Sequence, residues 1–343
     1  SRFVLRILSQ RGGGDELHLY IPNPRRTPFL GEIPTLAALR LHYPCGPVWR
    51  LLGSLWRVAG VWRDIRRDGM ALDHALSNEL PLGIRRAGCR SVVTIHDLIF
   101  LHCPEYYHPV DRLIYNYKFR RACRVADRVV AGGCDALCRF TLNGFKSLMI
   151  LDEQPCRPFD ASRAGLNLGE GAAYVVLERA GETAHRPYCY VAGFANANDA
   201  YHQTASSPDG EGDFLAMSGA LRQAGIEPRE VDWVNAHGTG TPNNDLAESR
   251  ALRRLFGAEL PPVSSTKATT GHTLAAAGAI EAVISVLALH HGECYPTLRF
   301  AEPDPEGGIR PLDCLTRSDL RCVLSNSFGF GGNCASLLLC REP

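Results

Sequence analysis

His237 and His272 are the residues from which a chemistry can be read. His237 follows the apolar segment 232–236 and heads a Gly/Thr turn, His237-Gly238-Thr239-Gly240-Thr241-Pro242. Such a turn holds an imidazole at a strand end with its ring towards a cleft. His272 stands in Gly271-His272-Thr273, just after Ser264-Ser265-Thr266-Lys267. A third stretch, Ser325-Asn326-Ser327-Phe328-Gly329-Phe330-Gly331-Gly332-Asn333, joins two apolar strand-like segments. Its glycines permit close backbone approach to a ligand and leave N–H groups to bind an oxyanion. A phosphate-binding loop is the alternative there, but no Lys-Ser/Thr follows. The spacing of the histidines and the lysine is not that of metal ligands. Neutral imidazoles can instead donate hydrogen bonds to a thioester oxygen or a developing enolate, which is acyl chemistry.

The elements that must position these groups follow from pattern. A strand over 232–236 presents His237, and an Ala/Gly-rich helix from Leu274 is small enough on its surface to be buried all round. Glu281 in that helix needs a partner, because a lone buried carboxylate is costly, and Lys267 is the nearest candidate in sequence. Upstream, 126–131 reads as a buried strand ending in Gly132-Gly133, a strand running into a tight turn. Before it come a helix-like 3–8, an alternating 16–21, an irregular Pro/Arg-rich 22–34 and a basic amphipathic helix over 48–67. A strand over 91–95, a Tyr/Arg-rich helix over 106–124 and a strand over 125–131 complete a parallel α/β pattern. His96-Asp97 falls at a strand end on the crevice side of such a sheet. His96, His102, Cys103 and His108 match no compact metal site and are expected to be structural.

The net charge of +1 conceals an asymmetry. Residues 1–131 hold 20 Lys+Arg against 11 Asp+Glu, and residues 132–343 hold 17 against 25. Either two domains have different surfaces, or a basic half meets an anionic partner. The thirteen cysteines form no CxxC framework and are expected to be free thiols of a reducing cytoplasm. No apolar run approaches the roughly 20 residues of a bilayer span, and nothing at the start reads as a signal peptide. The chain begins at Ser1 rather than Met and is expected to be a fragment.

Asn235-Ala236-His237-Gly238-Thr239-Gly240-Thr241, Ser265-Thr266-Lys267 with Gly271-His272, and Asn326-Ser327-Phe328-Gly329-Phe330-Gly331-Gly332 resemble the β-ketoacyl-acyl-carrier-protein synthases, condensing enzymes of the thiolase fold. Gly132-Gly133-Cys134-Asp135-Ala136-Leu137 and Leu168-Gly169-Glu170-Gly171-Ala172 fit the same family, so the likeness covers about residues 126–341. It implies decarboxylative Claisen condensation of an acyl thioester with malonyl-carrier protein. It makes His237 and His272 the catalytic histidines, and Lys267 and Glu281 the pair that orients the second of them. Thr239 and Thr241 become contacts to the phosphopantetheine arm, and Phe330 the gate whose N–H is one oxyanion-hole donor. Acyl carrier protein is the implied partner, and phosphopantetheine is a carrier rather than a bound cofactor. No metal and no nucleic acid are expected, and the family is homodimeric. Asn333-Cys334 departs from the more usual Thr-Asn after the glycines.

The first part carries another resemblance. Leu76-Ser77-Asn78-Glu79-Leu80-Pro81, Val92-Val93-Thr94-Ile95-His96-Asp97-Leu98 and Pro104-Glu105-Tyr106-Tyr107 are similar to the N-terminal, acceptor-side domain of family 4 glycosyltransferases of the GT-B type, over roughly residues 1–131. The donor-binding second domain and the glycine-rich loop of that family have no counterpart. The fold expected is therefore α/β: a truncated Rossmann-like part, 1–131, joined within 126–133 to the C-terminal half of a thiolase-like fold, 132–343.

The condensing enzymes' nucleophile is a cysteine at a helix N-terminus, in a small-residue motif upstream of the strand matched by 126–131. No such motif occurs, and Cys103, Cys123 and Cys134 each read as structural thiols rather than nucleophiles. Without an acyl-enzyme, condensation is expected to fail. Three readings follow: a join of two gene fragments without complete activity; an altered ketosynthase homologue acting as a decarboxylase or carrier-protein partner; and a sugar-binding module attached to a ketosynthase-like scaffold.

Overall fold

The computed structural model describes residues 15–23, 39–76, 78–95, 99–102, 104–182 and 185–343. The chain divides into two compact units, residues 1–131 with 176–179, and residues 132–175 with 180–343. The helix expected over 3–8, most of the Pro/Arg-rich stretch, and His96, Asp97 and Cys103 lie outside the described residues.

In the first unit β1 (Leu17–Tyr20) pairs in parallel with β2 (Leu39–His42). β3 (Leu72–Ala75), β4 (Arg90–Thr94) and the start of β5 (Arg128–Asp135) are also parallel neighbours. Two helices flank them, α1 (Val61–Arg67) and α2 (Pro109–Val125). Trp56, Ile65, Leu80, Ile84, Val93, Ala122 and Ala126 form the core. The single amphipathic helix expected over 48–67 is instead broken into turns at Pro47–Leu51 and Gly53–Leu55, a wide π-turn at Trp56–Gly60, and α1. The cause is packing. Trp56 is fully buried and its Nε1 donates to Asp64 Oδ2 at 2.7 Å, which locks the wide turn against α1.

The tight turn expected at Gly132-Gly133 is also corrected, because β5 continues through both glycines to Asp135. A Cβ at Gly132 would strike the carbonyl of Ala173, and one at Gly133 the carbonyl of Ala275. The pair is there for close backbone approach, not for a change of direction.

The second unit is organised on a five-stranded sheet of order β7-β13-β12-β8-β9: β7 (Tyr190–Asn198), β13 (Asn333–Cys340), β12 (Cys322–Gly329), β8 (Trp233–Asn235) and β9 (Val263–Ser264). β6 (Gly171–Leu177) precedes it, and β10 (Glu293–Cys294) and β11 (Thr316–Arg317) form a small ribbon. Neighbouring residues along each central strand go to opposite cores, as the strand period of two requires. Val234, Leu324 and Leu338 join α4 (Glu211–Ala224) and α5 (Pro242–Phe256) on one face. Trp233, Val323 and Leu339 join α7 (Ala277–His291) on the other. α3 (Arg139–Ser147) and the short α6 (Lys267–Thr270) complete the helices used below.

Residues Leu274–His291 are, by length and composition, apolar enough to cross a bilayer, which corrects the expectation that no run approaches that length. Within this unit the same helix buries Glu281 against Lys267, and Ser285 accepts from Asn235 Nδ2 at 3.2 Å.

Candidate active site

β8 ends at Asn235, and the chain turns through His237 to Thr241 into α5. The turn is held from below by two acids on the buried side of α5. Glu248 accepts from His237 N–H at 2.9 Å, Gly238 N–H at 2.8 Å and Asn326 Nδ2 at 3.1 Å. Asp245 accepts from Gly240 N–H at 3.1 Å and Phe159 N–H at 2.8 Å. Gly240 has φ +80° and lies against the Gly165 carbonyl, so only glycine fits there. Burial pushes the Glu248 carboxyl up to about 8 despite the three donated bonds. Neither acid was singled out from sequence. Their signal is two acids three residues apart on a helix face that otherwise carries Ala247, Ala251 and Leu252.

His237 and His272 come together, with ring centroids 5.2 Å apart and planes at 83°. Lys267 Nζ lies 3.2 Å from His237 Nδ1 and donates to the His237 carbonyl at 2.6 Å. It also forms an ion pair with Glu281, both side chains being buried. The lysine therefore addresses the first histidine, whereas the family resemblance implied that the pair orients the second. His272 is fixed by backbone instead: Leu274 N–H donates to its Nδ1 at 3.3 Å. Leu274 adopts φ +48°, a left-handed conformation that costs a non-glycine residue free energy and is held here by the fold.

The two tautomers follow from these bonds. Each Nδ1 accepts a hydrogen bond, so each Nε2 carries the hydrogen. Burial first, and the Lys267 charge second, lower the His272 imidazole to about 3. The same causes, with His272 third, hold His237 well below its ordinary value. The pair is neutral at pH 7 and offers two N–H donors.

Both rings line one cavity of ≈ 620 Å³ with Thr239, Thr241, Phe328 and Phe330. Thr239 Oγ1 and Thr241 Oγ1 are 2.9 Å apart on its wall. Phe330 is half exposed at the end of the β12–β13 hairpin, and its ring stacks on Phe145 of α3, centroids 5.8 Å apart. Gly331 and Gly332 follow with φ +78° and +71°, the backbone reversal that the glycine run permits.

Among the described residues no cysteine lines this cavity. Neither Cys123 nor Cys134 is among its lining residues, and Cys156 is buried with its thiol pushed up to about 12 by burial. Cys138 does sit at the N-terminus of α3. Hydrogen bonds from the Thr141 hydroxyl and backbone lower its thiol, but it is exposed and away from the cavity lining. The twelve described cysteines are all free.

With this geometry in place, comparison with known proteins identifies its relatives. Residues 122–183 match the β-ketoacyl synthase N-terminal domain and residues 188–301 the β-ketoacyl synthase C-terminal domain. The mitochondrial 3-oxoacyl-[acyl-carrier-protein] synthase of Arabidopsis thaliana is 40% identical over 230 residues, which is 62% of this chain and 50% of that protein. 3-Oxoacyl-[acyl-carrier-protein] synthase 2 of Coxiella burnetii is 42% identical over 229 residues, 63% of this chain and 55% of that protein. The chain thus spans about half the length of the curated relatives it matches. Among solved structures, the ishigamide ketosynthase/chain length factor superposes with a TM-score of 0.62 at 29% identity, over 73% of this chain and 75% of that one. A type II polyketide synthase assembly, an acyl-carrier protein in complex with its ketosynthase bound to the hexaketide, gives 0.61 at 31% identity, over 63% and 56%. The fold is α/β, and the matched part of the chain is similar to ketosynthases in sequence and in fold.

Proposed function

We propose that the second unit is a β-ketoacyl-acyl-carrier-protein synthase-like site that retains the decarboxylating half of the reaction and lacks the nucleophile of the other half. The observation that carries this is the pair of neutral histidines whose rings line one cavity that no described cysteine lines. A malonyl group presented on a phosphopantetheine arm past Thr239 and Thr241 places its thioester oxygen against the imidazole N–H donors. Loss of CO₂ breaks the C2–carboxylate bond and leaves its electron pair in an enolate, whose oxygen the two N–H groups stabilise. A solvent proton at C2 then gives the acetyl thioester. Phe330, stacked on Phe145, gates the cavity and supplies a backbone donor.

Condensation needs a thiolate to hold the acyl partner, and the residues lining the cavity supply none. Acyl carrier protein is the proposed partner, which the likeness to a ketosynthase solved with its acyl-carrier protein supports. For residues 1–131 we infer a glycosyltransferase-like α/β module joined within 126–133. The parallel order of β3, β4 and β5 and the motifs quoted above support it. Saturable binding of a nucleotide sugar tests that part.

The test of the main reading is CO₂ release from malonyl-carrier protein by the purified chain. Release that disappears in His272→Ala supports it. Equal release from parent and variant overturns it.

A further inference from the structure

In the first unit, β1 and β2 bring two histidines that are 24 residues apart in sequence onto one face of the parallel pair. The register sets Tyr20 opposite His42 and His18 opposite Arg40. His42 Nε2 lies 2.9 Å from His18 Nδ1. Each ring has a carboxylate on its other nitrogen. Glu16 Oε2 is 3.4 Å from His18 Nε2, and Asp68 Oδ2, just past the end of α1, is 3.1 Å from His42 Nδ1. A histidine with its outer N–H on a carboxylate has its inner nitrogen free as a lone pair, the arrangement that orients metal-ligating imidazoles.

Taken together, the two outer bonds aim two lone pairs at one another across 2.9 Å. That contact is repulsive unless a proton or a metal ion stands between or beside them. Nitrogens that bind one ion at about 2.0–2.1 Å are roughly 3 Å or slightly more apart, so the spacing fits two ligands of one ion. Ligand atoms of His18, His42 and Asp68 all fall within 4.8 Å of one another. The three side chains are partly buried, and the strand pairing and the surrounding bonds hold them in place. Tyr20 Oη donates to Asp68 Oδ2 at 2.9 Å and Arg67 Nε to Asp68 Oδ1 at 3.0 Å, while Arg40 Nη2 holds Glu16 at 3.0 Å.

We propose that His18 Nδ1 and His42 Nε2 bind one divalent transition-metal ion of the Zn²⁺, Co²⁺ or Ni²⁺ class, with Glu16 and Asp68 orienting the two imidazoles from their outer nitrogens. Two imidazoles without a thiolate, with water completing the coordination, suit these borderline ions. Arg67 and Tyr20 satisfy the carboxylate oxygens and keep Asp68 at the edge of the site. The site is independent of the decarboxylation reading, since none of its residues belongs to the second unit.

Co²⁺ titration of the full chain, freed of metal by a chelator and kept reduced, tests the proposal. The expected result is one equivalent of Co²⁺ with visible absorption and no thiolate-to-metal charge-transfer band in the near ultraviolet. Affinity should fall at least tenfold in His42→Gln and in His18→Gln, with the thermal transition retained. Glu16→Gln, at an exposed carboxylate, should weaken binding severalfold without touching the fold. No Co²⁺ uptake would mean that a shared proton alone satisfies the two imidazoles, and it overturns the proposal. Uptake that is unchanged in Glu16→Gln and His42→Gln, or that carries the thiolate band, overturns it equally by assigning the ion to other groups.

Discussion

The two units handle charge in opposite ways. In the second, Asp160, Asp213, His237, Asp245, Glu248, Lys267 and Glu281 are all buried. In the first, the buried polar residues among those described are Ser91 and Thr94. Taking an ionisable group out of water costs several kcal/mol unless partners replace the lost solvation, so a unit that buries seven such residues does so for a reason. Here the reason is position. Glu248 and Asp245 hold the turn that carries His237, and Lys267 with Glu281 fixes its tautomer. Among the described residues of the first unit no arginine is buried, and the titratable cluster at His18, His42 and Asp68 is only partly buried. Deeply buried charge therefore marks the catalytic candidate more sharply than net charge does.

The largest expected effect tests that contrast. Lys267→Met leaves Glu281 buried without its ion-pair partner and should cost about 3–5 kcal/mol in denaturant unfolding. Pairing it with Glu281→Leu should recover most of the loss. The matching change in the first unit, Arg57→Ala, removes an exposed partner of Glu79 and should cost about 0–1 kcal/mol. Equal losses at the two places would erase the distinction between the units.

Next in size is catalysis. Removing one N–H donor with His272→Ala should lower CO₂ release about 10²–10³-fold, the usual cost of one oxyanion donor. Asn326→Ala, which acts through Glu248 on the turn, should cost less and leave the pH profile of CO₂ release unchanged.

A smaller effect concerns pH. The folded His272 imidazole is depressed to about 3 from its ordinary 6.5, so the unfolded chain takes up its proton first. The stabilisation that neutral His272 contributes is present above about 6.5 and is lost as pH falls towards 3. The difference in unfolding free energy between the parent and His272→Gln should therefore shrink over that window, and a flat difference would contradict the burial of His272. The smallest expected effect is at Cys138. Its lowered, exposed thiol should alkylate fastest of the described cysteines, while Cys138→Ser leaves CO₂ release unchanged.

Much of this site is legible in the sequence. A histidine on a Gly/Thr turn after a buried strand, a lysine for the lone glutamate of a small-residue helix, and a glycine hairpin each follow from local chemistry; the fold brings the turn and the hairpin onto one cavity and sets the buried Lys267–Glu281 pair against His237. What local pattern misses is tertiary. Gly132-Gly133 reads as a turn because nothing in the neighbouring sequence reveals the Ala173 and Ala275 carbonyls they approach. The segment 48–67 has helical spacing, yet Trp56 packing breaks it. Which histidine Lys267 serves depends on the crossing of α6 with the turn after β8, and the His18–His42 contact depends on a parallel strand register. None of these is encoded within a few residues of the groups involved.

The most direct test of the account is to give the purified chain ¹³C-labelled malonyl-carrier protein together with an acyl thioester, and to identify the products by mass. The account predicts labelled CO₂ and acetyl-carrier protein, with no 3-ketoacyl product and no acyl adduct on the chain. A 3-ketoacyl thioester, or an acyl increment on any cysteine that turns over, would contradict it by revealing a nucleophile at the histidine pair.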